Sequence, residues 1–137
     1  MIVKNEAACL ADCLESVADI VDQIVVVDTG SEDDTVKIAK SFNAEVYNFE
    51  WQNNFAQARN ESIKHAKSDW ILWMDADERL LPDSKTHLQK LLRKEKYPIA
   101  YKFQIQNLQK DKKTNLMSDG HRLFTNYKDI YFSGRIH

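Results

Sequence analysis

The stretch Trp70-Ile71-Leu72-Trp73-Met74-Asp75-Ala76-Asp77 decides the reading of this chain. Its first five residues are apolar, as expected of a short strand buried on both faces. Two carboxylates follow where such a strand leaves the core. Burying an unpaired carboxylate is costly, so Asp75 and Asp77 are expected at the strand's exit, where a cation can compensate them. Mg²⁺ and Mn²⁺ prefer oxygen ligands and are readily shared between one or two carboxylates and the phosphates of a substrate. The triplet points to a metal-assisted site for a phosphorylated ligand. The competing reading is an ordinary solvated turn.

Upstream of this stretch, short strands alternate with helices. Ile2-Val3-Lys4 reads as a strand, and Asn5 as the cap of a helix over about Glu6 to Val17, with Leu10, Leu14 and Val17 as its apolar spacing. Gln23 to Val27 is a β-branched strand ending at Asp28, and Thr29-Gly30-Ser31 is a turn. Ser31 with Asp34 resembles a capping box for a helix to about Phe42. Ala44 to Asn48 is a third strand, and Asn53 or Asn54 caps a helix to about Ala66. Downstream, Pro82 opens a helix over about Asp83 to Arg93, and Ala100 to Leu108 alternates as a longer strand. Arg122 to Thr125 and Ile130 to Phe132 are short strand candidates. Strands alternating with helices imply βαβ units, so the expectation is one α/β domain with a mixed sheet.

The 137 residues suit a single domain, and 43% hydrophobic with 29% charged residues is ordinary for a globular protein. A net charge of −2 gives no electrostatic reason to expect nucleic acid as a partner. Lys110, Lys112 and Lys113 read as a solvated loop. No apolar run approaches the roughly 20 residues that span a bilayer. No leader is recognised, so a cytoplasmic location is expected. Cys9 and Cys13 are expected to be reduced, partly buried thiols. Both ends of the sequence read as cut, as in a domain excised from a longer protein.

Ligands of open α/β sheets bind beyond the carboxyl ends of the strands. Three polar clusters fall there: Asn5-Glu6, Asp28-Thr29-Gly30-Ser31 and Asp75-Ala76-Asp77-Glu78. Asp28 can accept hydrogen bonds from a base or ribose, or can simply cap its turn. Arg59 can reach a phosphate through its fork of donors, or can form a surface ion pair. Trp51 and Phe55 read as core, and Glu78 and Arg79 as supporting or surface groups. Other carboxylate motifs fail on spacing. An aspartate-nucleophile phosphatase would carry Thr or Val where Arg79 stands, and an EF-hand would need Gly and Glu where Leu80 and Thr86 stand. A Gly-rich P-loop is absent from the sequence.

The order Val3-Lys4-Asn5-Glu6, then Ile24-Val25-Val26-Val27-Asp28-Thr29-Gly30-Ser31, then Ala58-Arg59-Asn60, then Asp69 to Glu78 closely resembles the family 2 glycosyltransferases. Phe132 to His137 also resembles a segment that continues into Glu in the branch with Asp-Ala-Asp-Glu. The resemblance implies a GT-A fold, a Rossmann-like three-layer αβα sandwich with a central mixed, mostly parallel sheet. Residues 1–137 would form its nucleotide-sugar-binding domain. It implies a nucleotide-diphosphate sugar donor, an acceptor of unknown identity and inversion at the anomeric carbon. By motif position Asp28 would bind the nucleoside, with Val3 and Asn5 lining its pocket. Arg59 would approach the base or diphosphate, Asp75 the ribose and metal, and Asp77 would coordinate Mg²⁺ or Mn²⁺. The family's base is usually a carboxylate beyond the Asp-x-Asp motif; the sequence does not assign it, the alternatives being Asp119, Asp129 or a residue past His137. One departure is Asp34, where the family commonly has Gly. The alternatives are a sugar-nucleotide nucleotidyltransferase, which would need a Gly-rich basic first loop, and a catalytically inert nucleotide-sugar-binding module. The sequence does not fix the oligomeric state.

Overall fold

The computed structural model describes residues 1–93, 96–107 and 116–135. Its elements run β1 (Ile2–Val3), α1 (Leu10–Glu15), β2 (Val25–Asp28), α2 (Thr35–Ser41), β3 (Glu45–Asn48), α3 (Phe55–Lys64), β4 (Trp70–Leu72), α4 (Pro82–Leu91), β5 (Ala100–Asn107) and β6 (Leu116–Thr125). The lysine-rich turn and the end of the fifth expected strand, Leu108, lie outside the described residues.

The strands form two three-stranded sheets, ordered β1-β2-β3 and β4-β6-β5. The first is parallel, with Val3 opposite Asp28 and Asp28 opposite Asn48. The second is antiparallel, with Leu72 opposite Leu123 and Tyr101 opposite Leu123 from the other side. The α/β architecture is as expected, but in place of one central, mostly parallel mixed sheet the described strands divide equally between a parallel and an antiparallel sheet. Between Val25 and Trp70–Leu72 lies a cavity of about 290 Å³, and among the described residues no backbone ladder joins the two halves.

Alternation along β2 builds the layers. Val26 joins Leu10 and Leu14 of α1 and Ala39 of α2 in one apolar cluster. Val27, equally buried, turns to the opposite face, across which α3 packs. A second cluster gathers Cys13, Met74, Leu80, Leu88 and Leu123 and fastens α4 and β6 to the end of β4. Burying each of these Leu side chains is worth about 1.5–3 kcal/mol.

Several local expectations are corrected. The first helix is only Leu10–Glu15, because Asn5 has φ 56° and serves a loop rather than a cap. The Ser31–Asp34 capping box does not form: Asp34 makes no side-chain cap bond, and Asp33 instead accepts from the Thr35 amide at 2.9 Å. Asn54 does cap α3, accepting from the Gln57 amide at 3.1 Å. Strand β4 stops at Leu72, and the deepest burial lies beyond it at Trp73 and Met74. Strand β6 begins at Leu116, well before the expected Arg122, because the polar run through Gly120 pairs by its backbone with β5. Ile130 to Phe132 is not a strand.

Candidate active site

The loops leaving β1 and β2 are stitched together by side chains that hydrogen-bond to backbone amides. The Asn5 amide donates to Ser31 Oγ at 2.9 Å, and Asn5 Oδ1 accepts from the Glu32 amide at 2.8 Å. The Glu6 amide donates to Thr35 Oγ1 at 2.7 Å and the Ala7 amide to Asp33 Oδ2 at 3.1 Å. These bonds fix the rim of a cleft of about 380 Å³ at the carboxyl ends of the strands, within the size range of small-ligand sites.

Val3, Arg59, Asp75 and Asp77 line this cleft, as do Lys4, Glu6 and Thr29. Trp51 and Phe55 line it too, which corrects their assignment to the core. Their rings meet edge to face at 4.8 Å, leaving both half-buried and facing the cleft. Asn5 and Asp28 stand beside the lining rather than in it. Asp28 is 5% exposed, and its carboxylate accepts from the Gly30 amide at 3.2 Å and the Ser31 amide at 3.1 Å, holding the turn in which Gly30 has φ 104°. Asp119 and Asp129 are exposed and do not line the cleft.

Arg59 is 6% exposed, a buried rather than a surface side chain. Its guanidinium carbon lies 4.5 Å from the Trp73 ring centre and 5.5 Å from those of Phe55 and Phe132. Burial works against its charge, and Asp75 supports it. Burial likewise pushes the Asp75 carboxyl above the ordinary carboxylate range; Glu78 adds to the rise, and Arg122 and Arg59 oppose it. Glu78 accepts from the Asp75 amide at 3.0 Å. Cys13, buried beneath, sends its thiol to the Asp75 carbonyl at 3.4 Å. Both cysteines are free, and burial pushes Cys9 up to about 11 and Cys13 up to about 12, so neither is a nucleophile at neutral pH.

Among the described residues no group of three or more His, Cys, Asp or Glu converges to hold an ion unaided. The donor set at β4 is two carboxylates beside an open cleft. That fits Mg²⁺ or Mn²⁺, whose remaining oxygen ligands come from water and a bound phosphate.

The sequence pattern of glycosyl transferase family 2 matches residues 1–136. The chain belongs to this family. The glycosyltransferase SunS of Bacillus subtilis, derived from the SPbeta prophage, is 32% identical over all of this chain and a third of its own length. The chain spans about a third of the length of the curated relatives it matches. TarS of S. aureus, solved in complex with UDP, superimposes with a TM-score of 0.53 at 21% identity over 65% of this chain and 29% of its own. Glucosyl-3-phosphoglycerate synthase of Mycobacterium tuberculosis, solved with Mn²⁺, UDP and glucosyl-3-phosphoglycerate, gives 0.50 at 22% over 57% and 33%. At such identities these structures establish the shared GT-A fold. Among the described residues no helix is long and apolar enough to cross a membrane.

Proposed function

We propose that this family 2 domain binds a nucleotide-diphosphate sugar and serves its transfer, with inversion, to an acceptor. The observation that carries the reading is the convergence of Asp75, Asp77 and Arg59 with the aromatic rings of Trp51 and Phe55 on one cleft. The rings offer a face for a base, the arginine offers a fixed positive charge, and the carboxylates offer oxygen ligands. The two structural neighbours above, one solved with UDP and the other with UDP and Mn²⁺, support the same class of donor.

In this reading Val3 and the Asp28-Thr29-Gly30 turn shape the nucleoside end of the cleft, with Asn5 holding the neighbouring loop. Arg59 stands toward the diphosphate. Asp75 and Asp77 would hold Mg²⁺ or Mn²⁺, which supplies neutralisation of the charge developing on the departing diphosphate. Inversion requires a base for the acceptor's nucleophile. Glu6 is the other carboxylate lining the cleft, but it accepts from the Cys9 thiol at 3.2 Å, and no base is assigned. A cytoplasmic location belongs to the same proposal, in keeping with two unpaired cysteines.

Calorimetric titration with UDP tests the reading. UDP should bind at least about tenfold more tightly with Mn²⁺ than with EDTA, because the phosphates complete the ion's oxygen shell. Asp77→Asn should abolish that gain while leaving metal-free binding in place. Equal affinity in Mn²⁺ and EDTA would overturn the metal site, and no binding in either would overturn the donor site.

A further inference from the structure

Arg122 is not explained by any role so far. It sits in β6 at a break of register: Tyr101 pairs with Leu123, but Lys102 pairs with His121, so Arg122 is the extra residue of a β-bulge. Bulges re-aim side chains, and this one directs Arg122 toward the end of β4. Its guanidinium donates to Glu78 Oε1 at 2.6 Å, lies 3.7 Å from Asp75 Oδ2 and covers the Trp73 ring at 4.0 Å. The backbone joins the same contact, the Trp73 amide donating to the Arg122 carbonyl at 2.7 Å. Two residues earlier, a Cβ on Gly120 would meet Ile105 Cδ1 at 3.0 Å and would only touch the Arg122 guanidinium, at 3.4 Å.

Glu78 uses both carboxylate oxygens. One meets Arg122, and the other accepts from the Asp75 amide at 3.0 Å, while the Glu78 amide donates back to the Asp75 carbonyl at 3.1 Å. The Asp75–Glu78 turn is thus closed by its own backbone and braced from β6 by one side chain, itself only 14% exposed.

We propose that Arg122 is the positioning residue of the site, acting through Glu78 to hold the turn in the shape that presents Asp75 and Asp77 to the cleft. Its effect on cation binding rests on the donor-site reading above; its effect on the turn does not. Groups that orient ligand carboxylates commonly change metal affinity by about 10–100-fold when removed. Arg is suited to the task because it braces a carboxylate while stacked on a ring, which Lys does less well.

The experiment has two arms on the same variants, Arg122→Gln, Arg122→Lys and Glu78→Gln. In metal-free protein, amide exchange followed by NMR should be about tenfold faster at Asp75 and Glu78 in Arg122→Gln and Glu78→Gln, with Val26 and Val27 unchanged. In the second arm, the Mn²⁺-dependent gain in UDP affinity should fall about tenfold in both, UDP binding in EDTA should persist, and Arg122→Lys should recover part of the gain. Unchanged exchange at Asp75 and Glu78 overturns the positioning role, as does exchange accelerated equally at Val26 and Val27. Faster exchange confined to the turn, in a protein whose wild type shows no Mn²⁺ gain, upholds the brace and overturns the metal reading instead. Should Arg122→Gln fail to fold, Glu78→Gln and Arg122→Lys carry the same outcomes.

Discussion

Asn60 and Phe132 are joined by two hydrogen bonds: the Asn60 side-chain amide donates to the Phe132 carbonyl at 2.8 Å, and its oxygen accepts from the Phe132 amide at 2.7 Å. One side chain of α3 thereby satisfies both backbone groups of a residue in an irregular segment. The Phe132 ring then rests 5.4 Å from Trp73 and 5.5 Å from the Arg59 guanidinium. Asn60→Ala should cost about 1–3 kcal/mol in urea unfolding, since it leaves two part-buried backbone groups unpaired. Asn60→Asp, which can accept but not donate, should fall between. A cost within error of zero for both would show that the segment is held by its ring alone.

Trp51 presents a half-buried ring to the cleft beside Phe55. Trp51→Ala should weaken UDP binding by about 1–3 kcal/mol, the usual value of stacking one base on one aromatic ring. Trp51→Phe should recover most of it. Calorimetry at fixed Mn²⁺ reads the difference, and unchanged affinity for UDP would place the base elsewhere.

The candidate site is legible where polar residues coincide with strand ends. Asp75 and Asp77 follow an apolar run too short to continue, and Val3 and Arg59 fall at motif positions that the fold brings to the same cleft. Trp51 and Phe55 read as core in the sequence because a ring covering a core and a ring lining a cleft have the same sequence signature. Asn5 has the side chain of a helix cap, but the same acceptor serves the Glu32 amide of a loop distant in sequence. Arg122 was visible only as the start of a strand. Its orientation comes from a one-residue register shift against β5, and hydrophobic pattern carries no information about which residue such a shift leaves out.

Asp33 gives a pH dependence with a definite sign. The Thr35 hydroxyl, then the amides of Thr35 and Ala7, hold its carboxyl below the ordinary carboxylate range. A depressed carboxyl contributes stability that is present above its unfolded value, about 4, and is lost as pH falls through the lower folded value. Asp33→Asn should therefore lower the urea midpoint at pH 7, and the difference from wild type should shrink steadily once the pH drops below about 4. A difference constant throughout the acid range would mean that the charge of Asp33 does not hold the two loops together.

Asp75 has the opposite sign. Burial first, and Glu78 second, raise its carboxyl above the ordinary range, so the unfolded chain ionises it more readily than the native protein does. Its ionised form then weakens the fold at every pH above the raised native value, and the penalty disappears below the unfolded value of about 4. Without metal, Asp75→Asn should melt at a higher temperature than wild type at pH 7, and the advantage should vanish as the pH is lowered past about 4. The same variant should lose the Mn²⁺-dependent part of UDP binding, because a neutral amide is a poor ligand for a hard cation. Scanning calorimetry in EDTA across pH, beside the UDP titration, tests both halves. A variant that is no more stable at pH 7 would show that Arg122 and Arg59 already neutralise the carboxylate, and a variant that keeps the Mn²⁺ gain would remove Asp75 from the ion's ligands.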